Sequence, residues 1–379
     1  MEGWMTIVSK WSAENGIEDA FGLSAFVDKG EAKRRGRSDH SQQSFTKLRK
    51  VSFLHNGSRV VWIGYSEGRC VSLWKRCQED VEVVADPFEE LCRLPLHVDP
   101  YDLCALGPTL FCISFTNGEI SVFKSVDEEF IKEKEFRNVH RNGDARCLCH
   151  FDNHSIISGS SNGSLAKVDI ESGVVTAISN GKSGVRSICM LSGGTMVASG
   201  HSLGQVLIWD CREGWMKPSM VCVPSKRRLD AVTAIANHFA QANMLSFGTD
   251  HGVVSFCDVR ANSKDLTTNS FDAATSTITQ VAFHPECGNH LVCASADGSL
   301  VHWDVSAVNT NNISSGTRQS PWLSETLSQN VELDTLRAPM FGSVNSFAIK
   351  DTTVVAAIDM CMLYSYENVS FPIGTSLPH

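Results

Sequence analysis

The sequence predicts an all-β chain folded as a single seven-bladed β-propeller, and three observations carry that prediction. Six times a glycine turn is followed by a short strand with a bulky or aromatic residue near its end: Gly68 to Trp74, Gly118 to Phe123, Gly163 to Val168, Gly204 to Trp209, Gly252 to Cys257 and Gly298 to Trp303. The turn glycines fall 41 to 50 residues apart in the 379-residue chain, close to the period of four-stranded blades. Each turn follows two apolar stretches that alternate as strands do. A blade cannot bury both faces alone, so such repeats stack around an axis and leave broad surfaces for protein docking.

The units share one grammar: an apolar strand, a second strand ending in small residues, a turn, and a third strand with the bulky mark. The first reads 48–54, 59–65 and 69–75, and the second 101–106, 109–115 and 119–124. The third reads 145–151, 155–160 and 164–170, and the fourth 185–190, 196–200 and 205–211. The fifth reads 231–235, 244–248 and 253–259. The sixth is the clearest, with strands 278–283, 290–295 and 300–305 around the turn Ala296-Asp297-Gly298, where glycine takes positive φ without a Cβ clash. Alternation sends Leu300, His302 and Asp304 to one face and Val301 and Trp303 to the other. A degenerate seventh unit reads 344–349, 353–358 and 362–366 and lacks the turn glycine.

Too little chain follows the seventh unit for a good outer strand. The ring is therefore expected to close on an N-terminal strand, which removes exposed edges. Trp4–Lys10 and Leu23–Asp28 are the candidates, and the second lies nearer the first blade. Residues 29–44 then form a polar, basic insertion. A second polar insertion, 306–341, separates the sixth and seventh blades and carries Pro321-Trp322-Leu323. Long ordered insertions are often functional. An exposed Trp322–Leu323 pair would suit a protein interface; the duller reading packs Trp322 on the protein's own blades.

Composition narrows the function. The chain is 42% hydrophobic and 20% charged with net charge -9, which argues against a general nucleic-acid surface. Two basic runs, Lys33-Arg34-Arg35-Gly36-Arg37 and Lys226-Arg227-Arg228, read as solvated loops, localisation signals or partner contacts. No sustained apolar core lies between Met1 and Lys10, and no apolar run approaches the ~18 residues of a membrane span. Many of the 14 cysteines, Cys104, Cys112, Cys147, Cys149, Cys189 and Cys293 among them, sit in apolar strand patterns. There they behave as small buried hydrophobes, which fits reduced thiols in a cytosolic or nuclear compartment.

Chemistry-bearing motifs are weak. Gly200-His201-Ser202-Leu203-Gly204 has the G-x-S-x-G form of a nucleophile elbow, but a strand pattern follows it where that motif needs a helix. Cys147-Leu148-Cys149-His150 puts one residue between cysteines where zinc hairpins need two to four. No catalytic, cofactor-binding or metal-ligating set is expected, and no small-molecule substrate.

The dipeptides Trp209-Asp210 and Trp303-Asp304, with the blade spacing, resemble the WD-repeat family over nearly the whole chain. Blades of that family often join a third-strand Trp, a second-strand Ser or Thr, a turn Asp and a preceding His. Trp303, Ser295 and Asp297 fit three of those roles, and no His fits the fourth. Trp209-Asp210-Cys211-Arg212 and Cys257-Asp258-Val259-Arg260 have the form Trp-Asp-x-Arg, the second with its Trp lost. Some WD-repeat substrate receptors of cullin–RING ubiquitin ligases use such an Arg at one rim to meet their adaptor; the alternative pairs each Arg with a local carboxylate.

The second half resembles more closely the single-propeller nucleoporins of the Y-shaped outer-ring complex of the nuclear pore. Ile208 to Arg212 and Phe256 to Arg260 carry this resemblance, with Phe283-His284-Pro285, Asp297 to Asp304, Ser320 to Ser324 and Ser343 to Ser346, in that order. It implies a non-catalytic scaffold with a role in nucleocytoplasmic transport. Its partners would be other Y-complex subunits, above all an α-solenoid nucleoporin of the short arm, at the nuclear envelope and, in mitosis, the kinetochore. The candidate protein-binding residues are Trp322, Leu323, Arg212 and Arg260. The runner-up is a substrate receptor of a cullin–RING ligase.

Overall fold

The computed structural model describes residues 46–76 and 88–371, except 192–193, 214, 216, 223–229, 260–267, 309–319, 325 and 360–361. All of them lie in one compact unit. Seven antiparallel sheets follow one another along it, the seven-bladed all-β propeller that the repeat predicts. Blade 1 comprises β1 (Lys47–Leu54), β2 (Arg59–Tyr65), β3 (Cys70–Arg76) and β4 (Phe88–Pro95). Blade 2 comprises β5 (Pro100–Ala105), β6 (Leu110–Phe115), β7 (Ile120–Val126) and β8 (Glu129–Phe136). Blade 3 follows with β9 (Cys147–Asp152), β10 (Ser155–Gly159), β11 (Ser164–Asp169) and β12 (Val175–Asn180). Blade 4 has β13 (Val185–Met190), β14 (Met196–His201), β15 (Val206–Asp210) and β16 (Met220–Cys222). Blade 5 has β17 (Val232–Asn237), β18 (Met244–Thr249), β19 (Val253–Asp258) and β20 (Thr268–Asp272). Blade 6 has β21 (Ile278–Phe283), β22 (His290–Ser295), β23 (Leu300–Asp304) and β24 (Glu332–Arg337). Blade 7 shows three strands among the described residues, β25 (Val344–Lys350), β26 (Thr353–Ile358) and β27 (Met362–Tyr366).

Each blade's first strand lies against the first strands of both neighbours, β25 against β1 included, so these strands form a closed inner ring. Blades 7 and 1 are also joined by hydrogen bonds. The Val51 N–H donates to Ser346 Oγ at 2.9 Å, and Asn345 Nδ2 donates to the Leu48 carbonyl at 2.6 Å. Arg76 meets Glu367 across the same junction at 2.9 Å. Both segments expected to close the ring, Trp4–Lys10 and Leu23–Asp28, and the 29–44 insertion lie outside the described residues.

The apolar core is divided among the blade junctions. Leu54, Ile63 and Phe111 fill the space between blades 1 and 2; Ile208, Leu245 and Phe247 fill that between 4 and 5. Strand alternation explains the division. In β23, Leu300 packs toward blade 7 while Trp303 packs toward blade 5, the split that the period-2 pattern requires. The turn glycines are forced by crowding as well as by φ. Gly252 (φ +82°) and Gly298 (φ +89°) sit under the carbonyls of Ala274 and Met340, where a Cβ would collide.

Histidines staple neighbouring blades. His238 Nδ1 accepts the backbone N–H groups of Ala240 and Gln241, so Nε2 carries the proton and donates to the Gly288 carbonyl of blade 6 at 2.9 Å. His284 repeats the device toward Asp351 of blade 7 at 2.8 Å.

The 306–341 stretch needs correction. Its end, Glu332–Arg337, is the fourth strand of blade 6, paired with Leu300–Asp304. Most of this edge strand faces solvent, so its sequence reads as polar loop.

Candidate docking surface

Six first strands carry a β-bulge at the same place, after Leu48, Pro100, Val185, Val232, Ile278 and Val344. A bulge re-aims one side chain. The residues set there are Arg49, Tyr101, Arg186, Thr233, Thr279 and Asn345, and Arg146 holds the matching position just before β9 in blade 3. All seven line one cavity of about 340 Å³. It opens at the end of the ring that carries the turns between second and third strands: Tyr65 and Asp102 are in its wall, and Arg186 Nε donates to Ser202 Oγ of such a turn at 3.3 Å.

The cavity is asymmetric in charge. The Arg49 guanidinium lies 4.1 Å from the centre of the Tyr65 ring and 5.2 Å from that of Tyr101; Arg146 approaches Tyr101 from 5.4 Å. Burial, then the like charge of Arg146, lowers the Arg186 guanidinium from its ordinary value. Among the described residues no carboxylate stands within salt-bridge distance of these three arginines. Sequence reasoning missed them, because they come from three repeats. A usable signal existed: each follows the first buried residue of its unit, Leu48, Ala145 or Val185.

A second, polar cavity of about 430 Å³ lies between blades 2 and 3, lined by Asn117, Asn142, Asp144 and Asn162 among others. His140 stands behind it, hydrogen-bonded to Ser164 Oγ (2.7 Å) and Ser158 Oγ (2.9 Å). Burial lowers its pKa to about 4, so it is neutral at pH 7.

The singled-out residues fall in different places. Trp322 is 0% exposed: it stacks on Phe256 at 4.8 Å, meets Phe283 edge-on at 5.4 Å, and its indole N–H donates to the Gly288 carbonyl at 2.9 Å. The pair is thus not exposed as an interface reading requires. Leu323 packs half-buried on the same cluster. Arg212 Nη2 reaches Asp210 at 2.6 Å while its side chain stays 68% exposed; that guanidinium holds the Asp210 carboxyl down at about 2. Arg260, Arg34 and the 226–228 run lie outside the described residues. Ser202 sits in the turn before a strand, where Oγ donates to the Gly184 carbonyl at 3.2 Å. His201 is committed elsewhere, to Ser199 Oγ and the Ser183 carbonyl, both at 2.9 Å. Burial pushes the Cys147 and Cys149 thiols up.

The two Trp-Asp blades differ inside. In blade 4, Trp209 Nε1 donates to Ser199 Oγ at 2.8 Å, and Ser199 donates on to His201. In blade 6, Asp297 is held in the tight turn as expected, accepting from Ser299 and, across the blade connection, from Thr275 N and Oγ1 at 2.8 and 3.0 Å. Thr275 stands where a His was sought. Ser295 is a misassignment, because it bonds the Ser276 carbonyl instead of Trp303. Register gives the reason. Trp209 lies opposite Val197 and Ser199 opposite Leu207; Trp303 lies opposite Leu291, which makes Cys293, opposite Val301, the counterpart of Ser199. The Trp303 indole N–H is buried without a partner.

Residues 173–210 and 265–304 match the family described as WD domain, G-beta repeat. Each match joins the outer strand of one blade to the three inner strands of the next. Nucleoporin Nup43 of Mus musculus is 26% identical over 286 residues, 69% of this chain and 73% of that protein. Nucleoporin Nup43 of Homo sapiens is 29% identical over 136 residues, 35% of each. WD repeat-containing protein 55 homolog of Dictyostelium discoideum is 26% identical over 199 residues, 52% of this chain and 45% of that protein. A chain from "Crystal Structure of Mitotic Checkpoint Complex" superposes with a TM-score of 0.63 at 17% identity, covering 84% of this chain and 89% of that one. That likeness concerns fold. The chain carries WD repeats and is similar to Nup43 over a good part of its length.

Proposed function

We propose that this WD-repeat propeller is a non-catalytic scaffold subunit of the nuclear pore's Y-shaped outer-ring complex. The observation that carries the reading is the similarity to Nup43 across 69% of the chain, joined to a propeller fold whose blades offer broad surfaces for docking. The partner is an α-solenoid nucleoporin of the short arm, with further Y-complex subunits behind it. The location is the nuclear envelope, and the kinetochore in mitosis. Trp322 and Leu323 serve the docking surface from beneath, by pinning the segment before β24. Arg212, exposed at the end of β15, and Arg260 are the rim candidates.

Tagged full-length protein, pulled down at moderate salt and analysed by mass spectrometry, tests this. Stoichiometric recovery of pore subunits is expected. A cullin–RING adaptor in their place would overturn the reading. It would favour a ligase substrate receptor, for which the exposed Arg212 side chain that follows the buried Trp209-Asp210 is the supporting feature.

A further inference from the structure

The seven residues aimed at the channel mouth divide into two halves. Blades 1 to 4 contribute Arg49, Tyr101, Arg146 and Arg186; blades 5 to 7 contribute Thr233, Thr279 and Asn345. We propose that the cationic half of this mouth binds a carboxylate-rich segment of a protein partner, with acidic side chains received among Arg49, Arg146 and Arg186 beside the Tyr101 ring.

Four observations converge. First, the arginines gather like charges in a chain whose net charge is -9, and among the described residues none is neutralised by a carboxylate within salt-bridge distance. Such repulsion is offset when an anion enters. Second, the carboxylates at the mouth are already engaged. Asp102 takes Lys50 at 3.5 Å and the backbone N–H groups of Leu103 and Leu148 at 2.9 and 2.8 Å. Asp359 accepts from Asn345 at 2.8 Å on the neutral side. Third, Arg49 Nε is buried with no hydrogen-bond partner, a donor left to be satisfied. Fourth, Tyr65 and Tyr101 hold the Arg49 side chain by ring contacts that leave its edge donors available, so the fork is pre-ordered for carboxylate geometry.

Size and charge select the occupant. A cavity of about 340 Å³ admits a few side chains of an extended segment and no folded element. A nucleic-acid strand would need a continuous basic track, and the chain's overall negative charge opposes it. The inference rests on the protein-scaffold reading but not on membership of the pore. It is tested with purified protein and peptide alone, so it fails or holds independently of the pull-down.

A fluorescent Glu-rich peptide, its Gln counterpart and a single-stranded oligonucleotide of similar length are titrated into the full chain, with anisotropy as readout. The Glu peptide is expected to bind, and the other two to bind about tenfold or more weakly. Arg146→Gln with Arg186→Gln should cost about tenfold or more in Glu-peptide affinity. Lys75→Gln, on exposed β3 surface, should cost nothing. Melting curves confirm that the variants fold. Should the double variant not fold, the native chain decides through salt: affinity must fall several-fold from about 50 to about 300 mM. Equal binding of the Glu and Gln peptides, preference for the oligonucleotide, salt-independent binding, or an unaffected folded double variant would each overturn the proposal.

Discussion

Blades 4 and 6 both end their third strand in Trp-Asp, and they use that tryptophan in opposite ways. In blade 4 the Trp209 N–H starts a polar relay through Ser199 and His201 to the Ser183 carbonyl. In blade 6 the Trp303 indole is held by apolar packing without a hydrogen bond, edge-on to Phe256 at 6.1 Å and to Phe271 at 5.7 Å, within the cluster that also buries Trp322. Both blades match the same family. The dipeptide therefore marks a strand position and a large buried ring, and whether that ring is hydrogen-bonded depends on one residue of the strand beside it. Blade 6 gives up the relay and recruits an aromatic side chain from the following insertion, which fastens that insertion to the propeller.

The largest effect should come from emptying the aromatic cluster. Trp322→Ala removes a fully buried ring and one of the two donors to the Gly288 carbonyl, which keeps His238, and Trp303→Ala opens the same cluster from the other side. Each is expected to cost about 3–5 kcal/mol in chemical denaturation. An unchanged melting temperature for Trp303→Ala would break the blade register itself. For Trp322→Ala with Leu323→Ala, melting and partner recovery are measured together. Lost stability with normal recovery leaves only the pinning role, and normal stability with lost recovery would restore direct contact.

Acid should separate the blades next. Blade 6 buries His290 and His302 in contact, Nδ1 to Nε2 at 3.0 Å, beside Phe371. Burial, then the neighbouring His290, lowers the His302 pKa to about 4 from its ordinary 6.5. In blade 4, burial also lowers His201, but the Ser183 carbonyl works against the shift. A histidine with a lowered folded-state pKa is matched by an unfolded chain that takes up its proton first. Stability is full above about 6.5 and falls as pH drops toward about 4, by on the order of 2–3 kcal/mol for such a group. Urea midpoints across that window test this. His302→Asn should remove more of the pH dependence than His201→Asn, and equal slopes would erase this difference between the blades.

The sequence made the three inner strands of every blade legible to within two residues, because each is buried against two neighbouring blades and its alternation is enforced. The fourth strands were not legible. β8, Glu-Phe-Ile-Lys-Glu-Lys-Glu-Phe, is mostly exposed, and β24 passed for loop for the same reason. Ser295 fits the role by being a serine of the second strand, whereas the hydrogen bond depends on cross-strand register, which no single strand displays. The channel mouth is harder still. Arg49, Arg146 and Arg186 are neighbours only after the ring has closed, and the bulges that aim them leave no composition signal. The sequence left the burial of Trp322 on the protein's own blades as one of two readings, because its receptor is assembled from Phe256 of blade 5 and from Phe283 and Gly288 of blade 6.

A smaller effect isolates the hydrogen bond from the ring. Trp209→Phe and Trp303→Phe remove similar volume, but only the first removes a bonded N–H. In a double-mutant cycle, Trp209→Phe with Ser199→Ala should show coupling of about 0.5–1.5 kcal/mol. Trp303→Phe with Cys293→Ala should be additive within about 0.5 kcal/mol. Equal coupling in both cycles would mean that the thiol already serves as the acceptor.

The smallest effect is the most direct test of the register. Cys293 occupies the Ser199 position, so Cys293→Ser supplies the oxygen that the Trp303 N–H lacks. Ser199 gives its proton to His201, but blade 6 has Ser295 at that position, so the new hydroxyl proton would turn to a strand carbonyl. Ser199 Oγ lies 3.4 Å from the Leu207 carbonyl, and the counterpart in blade 6 is the Val301 carbonyl. Two opposing terms decide the sign. Exchanging a buried thiol for a hydroxyl loses transfer free energy, while satisfying the indole N–H returns about 1 kcal/mol. The net change in stability is therefore expected within about 1 kcal/mol of zero, and the informative quantity is its dependence on the ring. Cys293→Ser should be better tolerated with Trp303 present than in the Trp303→Phe background, by about 1 kcal/mol. The same cost in both backgrounds would show that the oxygen does not meet the indole, and that the two blades diverge in backbone geometry as well as in this one side chain.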